Sequence, residues 1–345
     1  MEFLRRLLTR SNPVPSAASP PPELPDDFDW LTTHEGLPYP EWLSIFEWVD
    51  TQVPEAEHPA ALDQVVRRWL IQLAAVGGPG LLLAESSNFI LLSPFLPDGR
   101  NWVLKTLENA QRTLLDRLGA LAWTGVEAKT VVLILGEEFY NFYISHYYPG
   151  DYMGRSAGVM ITGGGYSHIA AMAPPQQNYS DTPLLRTLAH ELTHHALSQL
   201  FLPRWLDEAV AMSFEDQLSG SETSMADRLG ASFDAIGTRA LLQEFAEWWT
   251  EDRLQGFWNG RLWNCEDDEQ AFCYEMSRIV FRILTQANHR SPGRLRHFIR
   301  DAAWKDAGEA AAQQHLGFSL GEAAADFLGE GNWTPDAARW ELPDD

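Results

Sequence analysis

His190-Glu191-Leu192-Thr193-His194 is the stretch around which the rest of the sequence is organised. Residues four apart in an α-helix lie on the same face, so the two histidines can direct their imidazoles at one point. A tetrahedral zinc ion accepts such a pair, needs a third protein ligand and leaves a fourth position for water. Glu191 lies beside the first histidine, where it can take a proton from water that zinc has made more acidic. The stretch therefore predicts a catalytic zinc site.

The flanking sequence predicts that this motif lies on a helix. Asp181 is a candidate N-cap, and Pro183 suits the first helical turn. At 100° per residue the apolar side chains gather on the side away from the two histidines; they are Leu184, Leu185, Leu188, Ala189, Leu192 and Ala196. His195 points about 140° away from His190 and is interpreted as a flanking residue, not a ligand.

A second predicted helix, after Pro203, carries the candidate third ligand. Glu208 has small and apolar neighbours, where an unpaired carboxylate is costly to bury and binding to a cation offsets that cost. Asp207 points about 100° away from Glu208 and is not expected to share its target. Glu215, two turns further on, is a candidate to support a ligand histidine from behind. The alternative for Glu215 is a solvated surface acid beside Asp216.

The motif together with Pro203-Arg204-Trp205-Leu206-Asp207-Glu208-Ala209-Val210-Ala211 resembles the gluzincin, or peptidase MA-like, metallopeptidases. In that family H-E-x-x-H is followed, after a short gap, by W-L-x-E-G-x-A. The resemblance implies that His190, His194 and Glu208 bind Zn²⁺ and that Glu191 is the general base.

The resemblance covers residues 80–330 and is closest to bacterial members of the family whose substrates are unknown. Ala209 stands where the family usually has glycine, a change expected to alter local packing but not the chemistry. The metzincin pattern does not fit, because Leu197 and Leu200 occupy the positions of its glycine and third histidine.

Two further groups of residues acquire candidate roles from the resemblance. Tyr274 begins a Y-x-x-S-x-x-V helix like that of the family and is a candidate to bind the oxyanion; the alternative is a core tyrosine. Gly164, Gly165 and Tyr166 form the turn of a predicted hairpin before the motif. In gluzincins the edge strand at this place pairs with the substrate backbone, whereas the alternative is that the glycines simply make a turn.

The order of predicted elements indicates an α+β fold: a small mixed β-sheet lobe backs the active-site helix, and a mainly helical C-terminal lobe follows. Strands are predicted at 81–84, 88–92 and 131–135, with a helix over 101–118. The predicted segments are a disordered tail and Pro/Ser-rich linker at 1–28, a helical segment at 29–80, an α/β lobe with the HELTH helix at 81–200, a helical lobe with the third ligand at 201–330 and a loosely attached acidic tail at 331–345.

The amino-acid composition limits which classes of binding partner and which cellular compartment can be expected. A hydrophobic content of 45% in 345 residues predicts a globular protein with a substantial core. The formal net charge of −23 disfavours binding to nucleic acids and to anionic membranes, because a protein binds these through basic patches on its surface. Cys265 and Cys273 are too few for a disulfide framework. No stretch approaches 18 consecutive apolar residues, and the short amphipathic start at 1–10 is not expected to be a secretion signal; a disordered tail is favoured there over a weak surface anchor. A cytoplasmic protein without stable membrane insertion is therefore expected. The oligomeric state stays open.

The sequence thus predicts zinc-dependent hydrolysis of peptide bonds in a peptide or protein substrate. Two alternatives remain: a zinc-stabilised binding or scaffold protein without turnover, and a zinc hydrolase of non-peptide amides. The intact Glu191 favours an enzyme, because a purely structural zinc site has no need of a base.

Overall fold

The computed structural model describes residues 30–123, 128–148, 156–174, 182–220, 235–264, 267–288 and 291–340. The chain is mixed α+β and divides into two compact units. The sheet unit comprises the described residues of Met1–Gln111 and Thr124–Leu184, and the helical unit those of Arg112–Trp123 and Leu185–Asp345. The predicted tail and linker at 1–28 lie outside the described residues, as do Asp181, Cys265 and residues 341–345. Within the described part, no helix is long and apolar enough to cross a membrane.

The elements of the sheet unit are β1 (Leu31–His34), β2 (Leu37–Pro40), α1 (Trp42–Gln52), α2 (His58–Gly77), β3 (Leu82–Glu85), β4 (Phe89–Ser93), α3 (Pro97–Leu118), β5 (Thr130–Leu135), α4 (Glu137–Ser145), β6 (Gly158–Gly163) and β7 (Tyr166–Met172); the end of α3, from Arg112, belongs to the helical unit. Five of these strands form a mixed sheet in the order β3-β4-β5-β7-β6. Its central strands β4, β5 and β7 are parallel, and β3 and β6 pair antiparallel at the two edges.

Continuous apolar runs account for the centre of this sheet. Every residue of β4 and β5 is buried, as expected of parallel strands covered on both faces. The apolar stripe of α2, which includes Val66, Trp69 and Leu73, is also fully buried. The strands predicted at 88–92 and 131–135 and the helix over 101–118 are therefore confirmed, with boundaries that shift by a few residues.

The segment predicted to be helical at 29–80 contains the helices α1 and α2, but its described part opens with a β-hairpin that was not predicted. Strands β1 and β2 pair antiparallel, with His34 opposite Leu37. The two residues between them, Glu35 and Gly36, have φ values of 49° and 91°. Positive φ at both positions is the geometry of a type I′ turn, which matches the twist of a two-residue hairpin. Residues 30–80 also belong to the sheet unit and do not form a separate segment.

The predicted hairpin before the HELTH motif is present as β6 and β7. Gly164 and Gly165 form its turn with φ values of 57° and 84°, and a Cβ on Gly164 would lie 2.9 Å from the Cβ of Trp42. The aromatic rings of Tyr166 and Trp42 stack with their centroids 3.6 Å apart. Of the two strands of this hairpin, β7 pairs on both sides and β6 lies at an edge of the sheet, as the described residues define it.

The helical unit carries both sequence motifs of the predicted metal site. Its main helices are α5 (Thr182–Leu197), whose first turn belongs to the sheet unit, α6 (Arg204–Ser219), α7 (Ala235–Trp248), α8 (Glu251–Trp258), α9 (Asp267–Ala287), α10 (Pro292–Asp301) and α11 (Leu320–Leu328). The predicted segments divide between residues 200 and 201, whereas the compact units divide at Leu184 and Leu185, so that most of α5 and all of α6 belong to the same unit.

The C-terminal segment is not the loose tail that its acidity predicts for 331–345. Trp333 and Trp340 are buried. The indole N–H of Trp258 donates to the carbonyl of Trp333 over 2.9 Å, and that of Trp340 donates to Gln255 Oε1 over 3.0 Å. Gln255 also donates to the carbonyl of Thr334 over 2.8 Å. Burial of two tryptophans on α8 therefore outweighs the segment's polar composition as far as residue 340.

Candidate metal centre

Helix α5 presents His190 and His194 side by side, as the four-residue spacing predicts. Their Nε2 atoms lie 3.0 Å apart, and their side chains are 14% and 11% exposed. The opposite face of the helix is buried through Leu188 and Leu192, which fixes the direction of the histidine face. Two unprotonated imidazole nitrogens at this distance would repel each other through their lone pairs. A cation or a proton bound between them removes that repulsion.

Helix α6 brings Glu208 to the same point. Its Oε2 atom lies 3.2 Å from Nε2 of His190 and 3.5 Å from Nε2 of His194. The Glu208 side chain is 2% exposed, so its carboxylate needs charged or polar partners. Helix α6 is anchored at its start by Trp205, whose indole N–H donates to the carbonyl of Ala307 over 2.9 Å.

These three residues form a group that could hold a metal ion. One ligand atom from each of His190, His194 and Glu208 lies within 4.8 Å of the other two. Two imidazoles and one carboxylate form a donor set that suits several divalent first-row metals, zinc among them. The residues that the sequence singles out as zinc ligands are thus brought together, and within the described part of the chain no other group of three His, Cys, Asp or Glu side chains has this spacing.

Each histidine is held from behind by a carboxylate. His190 donates from Nδ1 to Glu215 Oε2 over 3.2 Å, and His194 donates from Nδ1 to Asp207 Oδ2 over 2.9 Å. Because Nδ1 carries the proton in both hydrogen bonds, Nε2 is the atom that each ring offers to a metal. Arg186 holds Glu215 in turn through an ion pair of 3.2 Å. Glu215 therefore lies where its predicted supporting role requires, and Asp207 supports the other histidine.

The electrostatics of the cluster favour positive charge where the three ligand atoms meet. Burial opposes protonation of His190, but its hydrogen bonds with two carboxylates raise its pKa to about 9. Burial also opposes protonation of His194, yet Asp207 and Glu208 hold its pKa well above the ordinary value. Burial disfavours the charged form of Glu208, but Arg204 and the two histidines keep its pKa well below its usual range. A divalent cation supplies the charge that these surroundings favour.

Arg204 contacts the cluster although sequence reasoning did not single it out. Its Nη2 atom lies 2.8 Å from Glu208 Oε1, one helical turn away. The guanidinium lies over the Trp263 ring, 5.8 Å from the centroid, and it hydrogen-bonds to the hydroxyl of Tyr274. The available signal was the four-residue spacing between Arg204 and Glu208, which places both side chains on one helix face.

Three further residues considered in the sequence analysis lie on α5 and α9. Glu191 is buried and follows His190 directly on α5. Tyr274, on α9, is half-buried and reaches the cluster through Arg204. His195 is buried against the ring of Trp123, with centroids 5.2 Å apart, and burial lowers its pKa to about 4. The ring is therefore neutral at pH 7, in keeping with a flanking residue.

The hairpin turn predicted to bind substrate belongs to the sheet unit. Gly164 and Gly165 have a local reason to be glycine, since both have positive φ and Gly164 packs on Trp42. Tyr166 is buried in its stack on Trp42 and does not present its ring to solvent. These contacts account for a glycine turn, and pairing of the edge strand with a substrate stays a prediction.

No family model matches the chain, and no match to a curated protein was found. The case for a function therefore rests on the side chains of α5, α6 and α9.

Proposed function

We propose that the chain is a zinc-dependent peptidase of the gluzincin type that hydrolyses a peptide or protein substrate. One observation carries the proposal: the ligand atoms of His190, His194 and Glu208 lie within 4.8 Å of one another, and Glu191 follows the first of them in the same helix. The order of these residues along α5 and α6 is that of the resembled family.

The cluster fits a zinc ion through its donor set and its surroundings. His190 and His194 direct their Nε2 atoms at each other, and carboxylates occupy their Nδ1 atoms. Catalytic zinc sites characteristically have three protein ligands, and metal-bound histidines almost always donate their other ring N–H to a carboxylate, carbonyl or water. His190, His194 and Glu208 would hold the ion. When bound, zinc supplies a Lewis acid that polarises the scissile carbonyl and lowers the pKa of water.

Glu191 then performs the proton transfers of hydrolysis. Its carboxylate accepts the proton of the attacking water and returns it to the leaving amine, so that one residue serves as base and then as acid. A carboxylate would be a sufficient base here, because zinc held by His190, His194 and Glu208 would lower the pKa of that water. Glu191 is buried, 8% exposed, and follows the ligand His190 directly on α5.

Tyr274 is proposed to stabilise the oxyanion that forms when water attacks the carbonyl. Arg204 donates to its hydroxyl oxygen, so that hydrogen bond does not use the phenolic proton. The proton can therefore be directed at the developing negative charge, which is where a positioned donor lowers the barrier most.

The test combines zinc analysis with cleavage of a mixed peptide library. We expect about one zinc per chain, much less in His194→Ala, and full zinc content in Glu191→Gln. Glutamine cannot accept the proton, so Glu191→Gln should lose on the order of 10²–10⁴ in rate. The control is Glu137→Gln, an exposed acid on α4, which should match the unaltered protein.

Two results would contradict the proposal. Undiminished cleavage by zinc-loaded Glu191→Gln would mean that the chemistry lies elsewhere. Stoichiometric zinc with no cleavage of any peptide in the library would instead favour the scaffold alternative.

A further inference from the structure

Arg204 occupies a position in α6 that helix stability does not explain. It is the first residue of the helix, where the backbone dipole favours negative side chains. Its partner Glu208 follows four residues later, which is the less favourable order for a helical ion pair. The reason for an arginine at this position must therefore lie in what its side chain contacts.

The guanidinium of Arg204 contacts three side chains, although the arginine side chain as a whole is 54% exposed. Besides the ion pair with Glu208, it lies over the ring of Trp263 and hydrogen-bonds to Tyr274. Trp263 is itself buried and contacts Tyr274 edge to face, with ring centroids 5.2 Å apart. An arginine fork restrained in this way loses little further freedom when it pairs with a carboxylate.

Because of the ion pair with Arg204, the two carboxylate oxygens of Glu208 have different partners. Oε1 accepts from Arg204 over 2.8 Å, whereas Oε2 faces Nε2 of both His190 and His194. A carboxylate ligand that is not restrained can bring both oxygens to a metal. In a zinc site with three protein ligands, a second oxygen from Glu208 would occupy the position that catalysis needs open.

We propose that Arg204 is a positioning residue that keeps Glu208 a ligand through one oxygen and so preserves the open position of the metal site. The inference rests on the metal site of the proposed function, but it concerns coordination and can be tested without a substrate. For the metal site, Arg204 acts through Glu208; its contact with Tyr274 is the reason that the test follows coordination and not activity.

The test uses the full chain loaded with Co²⁺, whose visible absorption weakens when the number of ligands rises. We expect Arg204→Met to retain Co²⁺ while its absorption falls severalfold, because Glu208 Oε1 becomes free to bind. Affinity for acetohydroxamate, a probe of the open position, should fall by about 10–100-fold, as for other changes just outside a metal's ligands. Arg204→Lys, which keeps a donor for Oε1, should retain the original spectrum and affinity.

Matched variants separate this role from a general loss of structure. Arg300→Met removes an exposed arginine paired with Asp301 and should leave both readouts unchanged. If Arg204→Met does not fold, Arg204→Ala provides the same comparison with a residue of high helix propensity.

The proposal is overturned if the Co²⁺ spectrum and acetohydroxamate affinity of the folded Met or Ala variant equal those of the unaltered protein. It is also overturned if that variant binds no Co²⁺, or if Arg204→Lys behaves like Arg204→Met. Failure of the peptidase proposal looks different, since the spectra would follow expectation while no peptide is cleaved.

Discussion

At the scale of single residues, the two carboxylates behind the histidines should contribute about equally to metal binding. Asp207 accepts from His194 over 2.9 Å and Glu215 accepts from His190 over 3.2 Å, so each fixes the ring of one ligand. We expect Asp207→Asn and Glu215→Gln each to lower zinc affinity by roughly 10–100-fold. Glu208→Ala should lower it further, because a ligand is lost.

A competitive chelator titration measures these affinities. Glu137→Gln, an exposed acid on α4, is the control. An affinity for Asp207→Asn equal to that of the control would contradict the role of Asp207. Equal affinities for Glu208→Ala and Asp207→Asn would contradict the choice of Glu208 as third ligand.

The role of Asp207 shows how far the site could be predicted from the sequence. Helical geometry places Asp207 about 100° from Glu208, and for this reason Asp207 is not expected from the sequence to share the target of Glu208. In the structure, the Asp207 carboxylate points to Nδ1 of His194, the ring nitrogen that does not face Glu208. Angles within one helix predict which side chains share a target, but contacts with a second helix depend on how α5 and α6 pack.

At the scale of elements, one surface network connects α2, β3 and the start of β5. Arg67 on α2 donates to Glu85 on β3 over 2.7 Å, and Lys129 lies 2.8 Å from the same carboxylate. The hydrogen bond from Arg67, aided by Lys129 and opposed by partial burial, lowers the pKa of Glu85 from 4.5 to about 2. The charged form of Glu85 therefore stabilises the folded sheet unit.

The sign of the resulting pH dependence follows from the lowered pKa. A carboxyl group with a lower pKa in the folded state stabilises the fold above its unfolded pKa, and this contribution is lost as pH falls through the folded pKa. Relative to Glu85→Gln, the unaltered protein should be more stable at pH 6. The difference should shrink below pH 4.5 and vanish near pH 2.

Urea unfolding at a series of pH values measures this difference. Glu137→Gln, an exposed acid on α4, is the control. A stability difference for Glu85→Gln that does not change between pH 6 and pH 3 would contradict the network's electrostatic role.

The elements themselves differ in how well the sequence predicts them. Strands β4 and β5 are predictable because unbroken runs such as Val131–Leu135 have few alternatives to burial. The β1–β2 hairpin was missed because its signal is the turn at Glu35 and Gly36, where only backbone geometry shows that a non-glycine residue has positive φ. Within the predicted helical lobe, Gly317 adopts φ 69° and separates α11 from the preceding helical turns.

At the scale of the whole molecule, the docked C-terminal segment should contribute to the stability of the helical unit. Trp340 is buried and donates to Gln255, which also accepts from the backbone N–H of Asp336 over 2.9 Å. Trp340→Ala should lower the free energy of unfolding by about 3–5 kcal/mol, as for other large aromatic side chains removed from a core. Trp304→Ala is the control, because that side chain is 46% exposed.

Denaturant unfolding followed by circular dichroism measures both variants. Equal stability of Trp340→Ala and Trp304→Ala would mean that the segment at 331–340 is only loosely attached in solution, as its acidic composition first predicts.

The division of the chain between the two units also sets an order of assembly during synthesis. The segment Arg112–Trp123 is translated before the rest of the helical unit, which ends with the docked tryptophans of the C-terminal segment. At about 5–20 residues per second, this segment waits on the order of 10–40 s for its last partners. The sheet unit, in contrast, has all its strands once Leu184 has emerged from the ribosome. The helical unit is therefore the part whose nascent apolar surfaces are exposed longest to chaperones and proteases.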